Sequence, residues 1–121
     1  MMDQQQALVA FAALAQEHRL GIVRSLVRAG PEGLAAGLVA EAVACSRNNV
    51  SFHLKELERA GLIRSRRESR SIIYSAAYPV LSELIQFLMR DCCEGRPEIC
   101  NPATEALAAC CQPATRESVH A

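Results

Sequence analysis

Tryptophan is absent from this 121-residue chain, which carries only two tyrosines and three phenylalanines. A core without large rings must be assembled from Leu, Val, Ile and Ala, and that composition suits helices. Long apolar runs are missing as well. None approaches the roughly 20 residues needed to span a bilayer, so no membrane partner is expected. Met1 to Gln6 is polar and lacks a basic segment followed by an apolar stretch, so a secretion signal is not expected and the protein is placed in the cytoplasm. Net charge is lacking too, with 13 basic and 13 acidic residues, which argues against a generally adhesive basic protein. No Ser/His/Asp set or pair of carboxylates at an apparent pocket stands out, and the chain is not read as an enzyme.

What is present is half apolar by residue count, enough for one modest core. So small a domain commonly gains stability by pairing with a second copy. The charge that cancels overall is unevenly spread. Residues 44–75 hold seven basic and three acidic residues, a local charge of +4, between flanks of −1 and −3. Six cysteines are present, and five of them fall between Cys92 and Cys111. In a reducing compartment such clustering points to chemistry at sulfur before a disulfide framework.

Apolar spacing predicts helices over roughly 3–16, with Leu8, Phe11, Ala12 and Leu14, and over 18–29, with Leu20, Val23, Leu26 and Val27. Gly30-Pro31 ends the second. A short third helix is expected within 34–44, on Leu34, Leu38, Val39 and Val43. Ser46 is a suitable N-cap for a fourth helix running to Ala60, with Gly61 closing it. The runs at Leu62–Arg66 and Ser71–Tyr74 then predict a small hairpin around Arg67-Glu68-Ser69-Arg70, and Pro79 opens a last helix bearing Leu81, Leu84, Ile85 and Leu88. Prolines 97, 102 and 113 predict a loose tail with a turn of helix near 104–109. The expected fold is mainly α with a small β-hairpin: a winged helix-turn-helix forming a homodimer. Residues 1–91 are read as the DNA-binding and dimerisation domain, and 92–121 as a cysteine-rich tail.

On a helical wheel the fourth helix buries Val50, Leu54 and Leu57 and turns Asn48, Phe52, Lys55 and Arg59 outward, with Asn49 and Ser51 on the flanks. Amides and hydroxyls read base edges, an exposed ring can meet a thymine methyl, and cations neutralise phosphates. The expected DNA-contacting set is Arg47, Asn48, Asn49, Ser51, Phe52, His53 and Lys55 on the helix, with Arg66, Arg67 and Arg70 on the wing. His53 sits at the border of the buried stripe, where it either supports the helix or bonds a phosphate. A metal role for His18 or His53 is disfavoured, because no second histidine stands at i+3 or i+4 from either.

The stretch Asn49-Val-Ser-Phe-His-Leu-Lys-Glu-Leu-Glu-Arg-Ala-Gly-Leu-Ile63 resembles the recognition helix and start of the wing in the ArsR/SmtB family of metal-responsive repressors. His18-Arg-Leu-Gly-Ile-Val23, Arg66-Arg-Glu-Ser-Arg70 and Tyr74 resemble the same family, and the likeness covers about residues 7–90. Ser69 departs from it, since the family usually has glycine at the wing tip. The resemblance implies a homodimer packed through its first and last helices, bound to double-stranded operator DNA. The apolar stripe of the last helix independently favours a covered face.

Family effector sites differ in location. The Cys-x-Cys pair of one arsenic-sensing subgroup is missing, since Cys45 is followed by Ser46, and the last helix has no His for a zinc site. Cys92-Cys93-Glu-Gly-Arg-Pro-Glu-Ile-Cys100 instead resembles the subgroup that takes trivalent arsenic on a vicinal pair and a third cysteine. Soft thiolates select soft ions, and three sulfurs satisfy As(III) or Sb(III). The expected effector is therefore As(III) or Sb(III) on Cys92, Cys93 and Cys100, releasing a repressor from its operator. Cys110 and Cys111 stay unassigned. Zn(II) or Cd(II) on four sulfurs, or thiol oxidation, are the alternatives with the same DNA-binding module. A remote alternative is a thiol phosphatase or arsenate reductase built on Cys110 and Arg116, but no glycines are present to turn amides toward an anion.

Overall fold

The computed structural model describes residues 2–90 together with 102, 105, 106, 108 and 109. The chain divides into two compact units, Met1–Phe87 and Leu88–Ala121. In the second, Pro102, Glu105, Ala106, Ala108 and Ala109 are helical, in keeping with the turn of helix expected there. Among the described residues no helix is long and apolar enough to cross a membrane.

The first helices are fixed by local hydrogen bonds. Helix α1 (Gln4–Leu14) opens with a capping box, in which Gln6 N–H donates to Asp3 Oδ1 at 2.7 Å and Asp3 N–H to Gln6 Oε1 at 2.9 Å. Helix α2 (Glu17–Ala29) is capped by Gln16, whose Oε1 accepts from Arg19 N–H at 2.9 Å, and ends at Gly30 with φ 84°. The face of α1 that turns inward is its alanine face: Ala7, Ala10 and Ala13 are buried, while Leu8 stays 54% exposed. Alanines let the helix backbone approach its neighbours closely; Leu8 and Val9 stay outside, while Phe11 and Leu14 are partly buried against the core.

Residues 34–44 do not form a single helix. Leu34–Ala35 is a two-residue strand, β1, and only Ala36–Ala42 is helical, as α3. β1 pairs antiparallel with β3 (Ser71–Ala76), which also pairs with β2 (Ile63–Glu68), giving a three-stranded sheet in the order β1-β3-β2. Gly33 permits this. A Cβ there would stand 2.3 Å from the Tyr74 carbonyl oxygen, and its φ of +73° favours glycine. The β2–β3 turn is Ser69-Arg70, within the polar stretch expected to form it, with Ser69 at φ 55°.

Helix α4 (Arg47–Arg59) begins at Ser46, whose Oγ accepts from Asn49 N–H at 3.2 Å. It closes through Gly61 at φ 83°, with Leu62 N–H donating to the Leu57 carbonyl and Gly61 N–H to that of Glu58. The turn before it has the same form with an alanine in glycine's place. Cys45 N–H donates to the Ala40 carbonyl and Ala44 N–H to Glu41's, with Ala44 at φ 53°. Ile22 and Leu26 of α2, Val39 of α3, and Val50, Leu54 and Leu57 of α4 meet with Leu62 and Ile63 as the most buried side chains. Each such side chain contributes roughly 1.5–3 kcal/mol by leaving water. Helix α5 (Tyr78–Met89) buries Leu84 and is tied to the end of α2 by the Tyr78 hydroxyl, which donates to the Val27 carbonyl at 3.1 Å.

Candidate nucleic-acid interface

Burying Val50, Leu54 and Leu57 (1%, 1% and 0% exposed) sets the rotation of α4. The opposite face is then fixed by the helical period, and Arg47, Asn48, Asn49, Ser51, Phe52, Lys55 and Arg59 are all exposed. Amides, a hydroxyl and cations thus share a helix face with one ring. That ring is held: the Arg19 guanidinium lies 5.6 Å from the centroid of Phe52, which remains 56% exposed.

His53 is placed differently from the rest of the expected set. It is 8% exposed, and its Nδ1 accepts from Arg19 Nε at 3.1 Å. Burial first, then the nearby charges of Arg19 and His18, lower its pKa, so the ring is kept neutral and able to accept. Of the two roles the sequence left open, this geometry is the supporting one: His53 joins α4 to α2. Arg19 completes the support on both sides, and it was not among the residues singled out from the sequence. Its signal lay in His18-Arg19, before the buried positions of α2. The same packing brings His18 against His53, with ring centroids 5.7 Å apart and planes inclined by 30°. Helical spacing gave neither histidine a second histidine, and the fold supplies one from another element.

The wing cations divide by partner. Arg66 is engaged inward, pairing with Glu68 at 2.9 Å and donating to the Glu32 carbonyl at 2.8 Å, so it fixes the wing against the loop before β1. Arg67 and Arg70 are exposed and, among the described residues, their side chains take no hydrogen bond or ion pair. Ser65 Oγ donates to Glu58 at 2.7 Å and joins the base of the wing to α4. A rigid helix face and a hairpin bearing unpaired cations provide base-edge groups and phosphate-neutralising groups on one frame. Cys92, Cys93 and Cys100, the expected effector ligands, lie outside the described residues.

Comparison with known proteins agrees with this geometry. Residues 14–66 match a helix-turn-helix domain family. The HTH-type transcriptional regulator YceK of Bacillus subtilis is 41% identical over 61 residues, which are 50% of this chain and 60% of YceK. The matched part thus spans less than two thirds of that relative. The transcriptional activator HlyU of Vibrio cholerae is 30% identical over 88 residues, covering 73% of this chain and 79% of HlyU. Among solved structures, the ArsR-like transcriptional regulator from Rhodococcus sp. RHA1 superposes with a TM-score of 0.63 at 28% identity, over 87% of this chain and 89% of that one. These relatives are named regulators of transcription and not enzymes. With its helix-turn-helix, its three-stranded wing sheet and this kinship, the chain belongs to the ArsR family of winged-helix DNA-binding transcriptional regulators.

Proposed function

We propose that this regulator is a repressor that leaves its operator when As(III) or Sb(III) is captured by Cys92, Cys93 and Cys100. The observation that carries the reading is the placement of that trio in sequence: the vicinal pair begins three residues after Met89, the last residue of α5, and the third thiol follows at Cys100. Three thiolates are a soft donor set and match the trigonal, sulfur-seeking coordination of trivalent arsenic and antimony.

DNA contact is assigned to Arg47, Asn48, Asn49, Ser51, Phe52 and Lys55 of α4 and to Arg67 and Arg70 of the wing, with His53 and Arg66 holding those elements in place. The functional unit is a homodimer. Leu8 and Val9 of α1 are 54% and 44% exposed and Ile85 of α5 is 40% exposed, apolar surface that a second copy would cover. A twofold dimer sets two recognition helices into successive major grooves of a palindromic site. Effector capture beside α5 then acts on the element that sets their spacing.

The test is operator binding by fluorescence anisotropy under reducing conditions, titrating As(III), Sb(III), Zn(II) and Cd(II). The proposal expects release by As(III) or Sb(III), with operator affinity falling roughly 5–150-fold for a coupling of about 1–3 kcal/mol. Cys92→Ser and Cys93→Ser should abolish it. Operator binding that no ion changes would leave the DNA-binding module and remove the metalloid signal.

A further inference from the structure

We propose that His18, Cys45 and His53 form a second metal site, for a zinc-class divalent ion, within the helix-turn-helix itself. The three residues come from separate elements: the first turn of α2, the turn joining α3 to α4, and the inward side of α4. One ligand atom from each lies within 4.8 Å of the others. An ion with M–N of about 2.0–2.1 Å and M–S of about 2.3 Å holds tetrahedral ligands about 3.3–3.7 Å apart, so rotation of the side chains inward by up to about 1.5 Å closes the site.

The placement is built, not incidental. Cys45 follows directly on Ala44, which is held at φ 53° by the paired hydrogen bonds at the end of α3. A backbone in that conformation is unfavourable for an L-residue, and here it leads into the half-buried Cys45, whose sulfur lies within 4.8 Å of a ring nitrogen of each histidine. The donor set narrows the ion. Two imidazoles and a thiolate disfavour Mg(II) and Ca(II), which take oxygen ligands, and suit Zn(II) and its spectroscopic substitute Co(II), with water in the fourth position.

Proton inventory gives the site a consequence. His53 Nδ1 accepts from Arg19 Nε, so the neutral ring carries its proton on Nε2. An ion bound at Nδ1 displaces Arg19. An ion bound at Nε2 moves the ring proton to Nδ1, which can then no longer accept. Either way the metal replaces the Arg19–His53 hydrogen bond, and the Cys45 thiol releases one proton to solvent. The ion would thereby join α2, the turn and the recognition helix directly. This input is separate from the tail cysteines and does not depend on the metalloid reading.

The experiment uses the full chain with Cys92, Cys93, Cys100, Cys110 and Cys111 all changed to Ser, leaving Cys45 as its only thiol. Titrated anaerobically with Co(II), it should bind one ion per chain, with tetrahedral visible bands and a thiolate-to-cobalt charge-transfer band that Zn(II) bleaches. Adding Cys45→Ser should remove the charge-transfer band and weaken binding more than about tenfold, and His18→Ala should weaken it comparably. A variant folded by circular dichroism that binds neither ion, or whose affinity ignores Cys45→Ser, overturns the proposal. Should the five-serine chain not fold, the parent decides by calorimetry. Cys45→Ser alone should lower Zn(II) stoichiometry by one per chain, and an unchanged stoichiometry overturns the site.

Discussion

Ala44 and Ser69 both hold positive φ, at 53° and 55°, where glycine is the relaxed choice. Their strain and glycine's greater freedom in the unfolded chain act in opposite directions, about 1–2 against about 0.4–1 kcal/mol. Ser69→Gly and Ala44→Gly should therefore each stabilise the fold by about 0.5–1 kcal/mol, read as a rise of a few degrees in melting temperature. A fall at either position would contradict the assigned turns. The wing-tip departure at Ser69 was legible in the sequence. Ala44 gave no signal, because alanine is the strongest helix former and nothing beside it announces a left-handed residue. His53 adds a pH dependence. Its pKa is lowered in the fold from an ordinary value of 6.5, chiefly by burial. Below about 6.5 the unfolded chain binds a proton that the native ring refuses, so stability falls with pH until the folded pKa is passed. Urea midpoints at about pH 7.5 and 5.5 should drop further for the parent than for His53→Gln, and equal drops would show that the buried ring is not responsible.

Among the elements, the wing and α4 divide the labour of DNA binding. Arg67 and Arg70 are unpaired among the described residues, whereas Arg66 is tied to Glu68 and the Glu32 carbonyl. Arg67→Ala and Arg70→Ala should each reduce the slope of log affinity against log salt by about 1, the signature of one lost phosphate contact. Arg66→Ala should leave that slope nearer the parent value and lower thermal stability instead. The reverse pattern would mean that Arg66 is the phosphate ligand. The recognition helix was readable to within a residue because Ser46, the Val50–Leu54–Leu57 stripe and Gly61 are local signals that agree. Strand β1 was not. Leu34-Ala35 leads into a helix-favouring run, and its strand identity comes from pairing with Tyr74 and Ile73 some forty residues away.

For the whole molecule, what composition and charge made legible was the architecture and the basic middle third. The apposition of His18, Cys45 and His53 was not legible, since it depends on how three elements pack. Nor was the inward alanine face of α1, because periodicity finds apolar positions but does not say which of them face the core and which await a partner. If Leu8 and Ile85 lie in the dimer interface, the double change Leu8→Glu and Ile85→Glu should yield a folded monomer by sedimentation, with operator affinity largely lost. A dimer of parent affinity would place the twofold contact elsewhere.

The central claim, that metalloid capture and operator binding oppose each other, is tested most directly by reciprocity. The As(III) dissociation constant is measured for the free protein and again with saturating operator duplex. Linkage requires DNA to weaken As(III) binding by the same factor, roughly 5–150-fold, by which As(III) weakens DNA binding. Equal As(III) affinities in the two states would contradict the account, however tightly the metalloid is held.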